Sequence, residues 1–200
     1  MPVWPRCATL STNHLVGRVM VERADRRAEI VRAAFRQVAD VGFEGLRLRQ
    51  IAEDVGIDHS TLHHHFPGKK DIVAGVAEYA IGQFAATPPA GAGPLESLRG
   101  YLRHLRELLA DSPEVFVVTA ELDLRARRDP VVRAVLEQHE ANWRRSLGDL
   151  LAAGDARGVW SRRVGAEGTV ELVIAVVKGV QLAPDAAGAA FAQLDALLAK

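Results

Sequence analysis

Residues 47–66, RLRQIAEDVGIDHSTLHHHF, leave the chain few folds to adopt. Leu48, Ile51, Ala52 and Val55 recur at i, i+3, i+4 and i+7, which is one apolar face of a helix. Gly56 follows, where a chain leaving a helix needs positive φ. Asp58 is placed to cap a second helix, since its carboxylate can accept from the free amides of the first turn. In that second helix only Leu62 and Phe66 are strongly apolar. His59, Ser60, Thr61, His63, His64 and His65 are short polar side chains. A helix with a thin apolar seam and a polar outer face suits docking in a DNA major groove.

Bulk properties neither add to this nor oppose it. In 200 residues, 25 Lys and Arg balance 25 Asp and Glu. Residues 23–80 hold nine of each sign. A nucleic-acid role must therefore rest on local placement rather than on net charge. The single cysteine, Cys7, cannot pair within the chain, which fits a reducing compartment. No apolar stretch reaches membrane-spanning length, so no membrane partner is expected.

The pattern reads as helices throughout, an all-α fold of about nine. Residues 1–22 carry two prolines and lack helical periodicity, which predicts a flexible N-terminal arm. Met20 directly precedes the first patterned helix and is an alternative start of translation. Residues 23–85 form a three-helix DNA-binding unit with a fourth helix from about Lys69. Its first helix spans about Arg23 to Val41, ends at Gly42, and buries Ile30, Val31, Ala34, Phe35 and Val38. A Pro- and Gly-rich linker at 86–94 precedes a helical domain over 95–200. There, helices are expected from Leu95, from Ser112–Pro113, from Pro130 to about Ala153, over 167–182 and over 186–199, with 154–165 as a loop.

The helix around RRAEIVRAAFRQVADVGFEG, the IAEDVGI segment, the leucine in the next helix and the HFPGKKDIV run together resemble the DNA-binding domain of the TetR family of bacterial repressors over about residues 24–82. The resemblance implies a homodimer that binds a palindromic double-stranded operator and is released by a small effector. His59, Ser60, Thr61 and His64 then face base edges. His63 stands where the family usually has a phosphate-binding tyrosine. Lys69 matches the family lysine at the start of the fourth helix, with Lys70 beside it, and both are expected on phosphate. Arg47 and Arg49 open the first motif helix where the family often has a Ser or Thr cap, and they too are expected on phosphate. Arg23, Arg26 and Arg27 are further candidates, and His65 is expected to support the turn.

For the second domain the resemblance implies effector binding and dimerisation through the last two helices. Aromatic and isolated polar groups within apolar helices suggest Tyr101, Leu105, Phe116 and Thr119 as pocket residues, with His139, Trp143, Val177 and Gln181. Glu121 and Lys178 interrupt apolar helices and are candidates to pair with each other or with a ligand. A mainly hydrophobic effector with one or two polar anchors is expected. Ala175, Gly179, Ala183 and Ala187, with Ala190, Phe191, Leu194 and Leu197, suggest a closely packed dimer surface.

Catalysis and cofactors are not expected. No metal-spaced cluster and no glycine-rich phosphate loop occurs, and Cys7 lies in the arm. Successive residues 63, 64 and 65 point about 100° apart on a helix and cannot share one ion. A ligand-independent or activating regulator of the same fold is the alternative, and an enzyme the remote one.

Overall fold

Among the described residues the chain forms nine α-helices and one short 3-10 turn, with no strand. The structure is a computed structural model that describes residues 12–85, 91–160 and 166–198. In order these helices are α1 (Thr12–Gly45), α2 (Leu48–Val55), α3 (His59–His65), α4 (Lys69–Gly82), α5 (Pro94–Asp111), α6 (Glu114–Ala126), α7 (Pro130–Ala156), α8 (Ala166–Leu182) and α9 (Ala187–Leu198). A 3-10 turn at Pro184–Ala186 joins the last two. No helix among these residues is long and apolar enough to cross a membrane.

The first helix differs from expectation at its start. It begins at Thr12, so residues 12–22 of the expected arm are helical. Pro2 and Pro5 both precede Thr12, and no proline lies between Thr12 and Val41 to remove a backbone donor. Extending a formed helix also avoids the cost of a new nucleus. Residues 1–11 with Cys7, linker residues 86–90 and loop residues 161–165 lie outside the described residues. At the other end Gly42, with φ 67° and ψ 175°, breaks the helix as its sequence suggests, and a last helical turn follows at 43–45. The α7 helix runs to Ala156, three residues past the expected Ala153. Beyond it the Trp160 indole N–H donates to the Leu151 carbonyl at 2.8 Å, which folds the following turn onto the helix.

Two local devices set the α2–α3 corner. Gly56 adopts φ 70°, and its N–H and that of Ile57 return to the carbonyls of Glu53 and Ala52. This is the left-handed exit that favours glycine. Asp58 then starts α3 by accepting from the Thr61 N–H at 2.8 Å. Ile51, Ala52, Leu62 and Phe66 turn inward and join Ile30, Ala34 and Val38 of α1 and Ile72 and Val76 of α4, all buried. The apolar core is continuous into the second half. Ala77, Ala80 and Phe84 carry it from α4 to Leu98, Leu102 and Leu105 of α5, Val115, Phe116, Val118 and Leu122 of α6, and Val173 and Val177 of α8. Helices α2 and α3 and the larger bundle therefore share one packed interior.

Candidate nucleic-acid interface and effector cavity

The outer face of α3 is polar and reachable. His59, Ser60, His63 and His64 are exposed and Thr61 is half-buried, while Leu62 and Phe66 are fully buried behind them. The hydroxyls are not free, however. Ser60 donates to one Asp58 carboxylate oxygen at 2.6 Å, and Thr61 Oγ1 donates to the other at 3.0 Å. With the Thr61 amide, these bonds hold the Asp58 carboxyl down to about 2, the Ser60 hydroxyl being the largest cause. Each hydroxyl keeps its lone pairs, so this face presents acceptors.

The histidines divide by role. His63 Nδ1 lies 3.3 Å from the Pro67 carbonyl, which can only accept, so Nδ1 carries the proton and Nε2 faces outward. His59 packs edge-on against His63 with ring centroids 4.4 Å apart. Among the described residues no group of three His, Cys, Asp or Glu is placed to hold a metal ion. His65 is part of the support. Its carbonyl accepts from Arg27 Nη1 at 2.8 Å, and Arg27 lies over the Phe66 ring at 3.9 Å. Burial lowers the His65 pKa, as do the positive fields of Arg23, His64, Arg26 and Arg27. Arg27 thus belongs to the turn rather than to the expected phosphate set, and Arg26 pairs with Glu29 at 2.7 Å.

The expected phosphate cations are also partly engaged. Lys69 Nζ donates to the Leu46 carbonyl at 3.0 Å and ties the start of α4 to the α1–α2 corner. Lys70 is exposed beside it. Arg47 turns back, donating to the Glu44 carbonyl at 2.6 Å, while its N–H donates to Gln37 Oε1. Arg49 is highly exposed and pairs with Glu53 one turn on at 3.2 Å. Among the described residues Lys70 and Arg23 are exposed without a partner, and Arg49 is held only by Glu53.

A second feature is a cavity of about 40 Å³ between α4, α6, α7 and α8. Ile81 and Phe84 line it with Thr119 and Asp123 on one side, and Leu136, His139, Glu140, Trp143, Val177, Lys178 and Gln181 close the others. Of the residues suggested from sequence, Thr119, His139, Trp143, Val177 and Gln181 line this cavity. Leu105 and Phe116 do not. Both are core residues, with Phe116 reaching the cavity only through an edge contact to Phe84 at 5.3 Å. Tyr101 lies behind the wall, where burial pushes its phenol well above the ordinary value, against a smaller opposing effect of Trp143. The Trp143 indole N–H is buried, yet no acceptor among the described residues meets it with hydrogen-bond geometry.

On the polar wall of the cavity sequence reasoning marked Lys178 but missed its partners Asp123 and Glu140. Lys178 lies between Glu140, to which it donates, and Asp123 at 3.2 Å. Glu140 also accepts from Arg144 at 3.0 Å, and Arg144 pairs with Glu171 at 2.8 Å. Burial works against the Lys178 charge, but Glu140 and Asp123 outweigh it and raise its pKa. Burial likewise opposes the Glu140 charge and is outweighed by Lys178 and Arg144, leaving that pKa lowered. His139 is shifted down by burial, with Glu140 opposing and Lys178 adding. The suggested Glu121–Lys178 pair does not form, because these residues leave their helices in different directions. Glu121 accepts from the Phe43 N–H at 3.1 Å instead. That α6, α7 and α8 each contribute a charge was visible only as isolated polar residues in apolar helices.

The final helices divide the residues of the expected dimer surface between an inward and an outward face. Ala187, Phe191 and Leu194 are buried within the chain, because α9 turns that face, spaced i, i+4 and i+7, onto the core. Ala175, Gly179 and Ala183 are exposed, and Ala190 and Leu197 are half-buried. The outward face consists of Ala175, Gly179 and Leu182, the last 80% exposed, with Ala189, Ala192 and Ala196 of α9. The period marked a stripe on α9 without indicating which stripe faced inward.

Comparison with known proteins agrees with this geometry. Residues 30–76 match the family model described as bacterial regulatory proteins, tetR family. The chain is 29% identical over 118 residues to the HTH-type transcriptional repressor AcnR of Corynebacterium glutamicum, spanning 58% of each protein. It is 32% identical over 81 residues to the HTH-type transcriptional repressor KstR2 of Mycolicibacterium smegmatis, covering 38% of this chain and 40% of that one. In both cases the match spans less than two thirds of the relative's own length. A TetR-family regulator from Agrobacterium tumefaciens has the same fold, with a TM-score of 0.75 and 23% identity over 89% of this chain and 100% of that one. Over residues 30–76 the chain thus resembles the tetR family of bacterial regulatory proteins, and across most of its length it shares the fold of the Agrobacterium tumefaciens regulator.

Proposed function

We propose that this protein is a DNA-binding transcriptional repressor that acts as a homodimer on a palindromic operator and is released by a small effector. The observation that carries the reading is the α2–α3 corner, a polar helix face standing on a buried two-residue seam. Its Asp58 cap holds Ser60 and Thr61 in place, and its exposed cations lie at the flanks. Such a face positions acceptors and imidazoles toward base edges and leaves Arg49 and Lys70 for phosphate. Two copies joined through α8 and α9 would present two such faces to successive turns of duplex. The exposed small residues there, with Leu182 among them, support close helix approach across a two-fold axis. AcnR and KstR2 are repressors by name, which favours repression over activation.

The cavity supports the effector part of the reading. Its volume admits only a few waters and it is partly open to solvent, so a larger molecule that seats fully within it displaces the walls. Binding then selects a bundle shape different from the present one, which is what release requires. Ile81, Phe84, Leu136 and Val177 favour an apolar body, and the Asp123–Lys178–Glu140 wall supplies polar anchors. Such a protein acts in the cytoplasm, on the nucleoid.

Selection of bound duplexes from a random pool tests the reading. A two-fold symmetric site, bound by a dimer, is the expected result. No preference for any duplex over competitor, at low ionic strength and without small molecules, would remove it.

A further inference from the structure

The helix α6 touches both candidate sites with opposite faces. Thr119 and Asp123, one turn apart, stand on the cavity wall. Glu121 and Arg125 lie two residues further along, about 200° around the helix, and both reach the end of α1. Their target is the break at Gly42. An unbroken helix would leave the Phe43 N–H bonded to the preceding turn. The break frees that donor, and Glu121 Oε2 accepts from it at 3.1 Å across 78 residues of chain. The fit is close. A Cβ built at Gly42 would lie 3.0 to 3.4 Å from the Glu121 carboxylate, and φ is positive there, so glycine serves this position twice over. One turn along α6, the Arg125 guanidinium lies over the Phe43 ring at 5.2 Å and 3.9 Å from the Glu44 carboxylate, while Asp129 holds its other side at 3.2 Å. Phe43 itself is buried. Five residues after Phe43 the first reading helix begins, and its lead-in is tied in turn by Lys69 at the Leu46 carbonyl.

We propose that Glu121 and Arg125 form a latch between the two halves. It holds the lead-in to the reading helices while the cavity is closed and is withdrawn when α6 is displaced from the cavity side. The inference rests on the effector reading above and adds the residues through which that site reaches the DNA. Nothing else on α6 bonds to the backbone of the α1–α2 corner among the described contacts. The acceptor oxygen is what matters, because the bond made is to a backbone amide, so glutamine can replace glutamate here and alanine cannot.

The test uses the full-length chain with E121A, E121Q and a cavity-filling substitution, Leu136→Trp, from the wall opposite α6. Val177→Phe serves as a second filler should the first fail to fold. Amide exchange across residues 40–48 reads the latch directly. In E121A it should rise by about tenfold, while E121Q stays near the unmodified protein at equal thermal stability. Affinity for the duplex selected from the random pool reads transmission. The filler should weaken binding in the unmodified protein and in E121Q, and add nothing in E121A, which has already lost the contact. Exchange unchanged in E121A overturns the latch. Fillers whose effect multiplies that of E121A overturn transmission through it. If no duplex is selected at all, the repressor reading fails, while the exchange measurement still decides whether Glu121 holds the corner.

Discussion

Ser60 and Thr61 enter the reading surface with their hydroxyl protons already given to Asp58. On the proposed reading they would meet DNA as acceptors, suited to the amino groups of adenine or cytosine rather than to carbonyl edges. Replacing Asp58 by alanine releases both hydroxyls and opens the first turn of α3. Operator affinity should fall by more than for Ser60→Ala, measured by fluorescence anisotropy. Equal losses would mean the cap does not order the face. Because the folded-state pKa of Asp58 is depressed to about 2, its contribution to stability is complete above the ordinary carboxylate range near 4 and disappears as pH falls through about 2. Thermal melts of the protein and of D58N should converge over that window. Imidazoles give a second pH dependence. The depressed His65 value means that the unfolded chain takes up its proton first, so this residue's contribution is present above 6.5 and declines as pH drops below it.

At the scale of elements, α3 is too short to hold itself and depends on the seam beneath it. Leu62 is completely buried, so Leu62→Ala should cost about 2–5 kcal/mol in urea unfolding, and operator binding should weaken along with it. The two lysines at the start of α4, alike in sequence, are expected to separate. Lys70→Ala should reduce the slope of affinity against salt by about one and leave the melting temperature unchanged. Lys69→Ala removes the cation on the Leu46 carbonyl as well, so it should lower both stability and affinity. If the two variants behave identically, the tie between α4 and the α1–α2 corner has no energetic weight. Helices α1 to α4 were legible from sequence because apolar spacing, Gly56 and Asp58 are local signals. The helical start at Thr12 was not, since its residues carry no amphipathic stripe and follow a proline-containing segment.

For the whole molecule the proposed dimer surface is the outward face of α8 and α9. Leu182 is 80% exposed there, between small residues that permit close approach. A charge at its centre should oppose pairing, so Leu182→Glu is expected to sediment as a monomer and to lose most of its operator affinity while keeping its helical circular dichroism. A dimer of unchanged stability would move the interface elsewhere. Only part of the cavity was readable in advance. Thr119, His139, Trp143, Val177 and Gln181 were identifiable as polar or bulky residues within apolar helices, but Asp123, Glu140 and the end of α4 were not, because a cavity is a relation among four helices.

The sequence by itself determined the helices, the turn between α2 and α3 and the polar face that α3 shows to solvent. Helical period, caps and left-handed exits are written in neighbouring residues, and these contacts close within one or two turns. Tertiary structure alone decided which polar atoms were already satisfied. Lys69 finds Leu46 at a separation of 23 residues, Lys178 finds Asp123 at 55, and Glu121 finds Phe43 at 78. It also decided which stripe of α9 turns inward. Partners so far apart leave no periodic trace in the chain, and they meet only when burial of the common core brings their helices together.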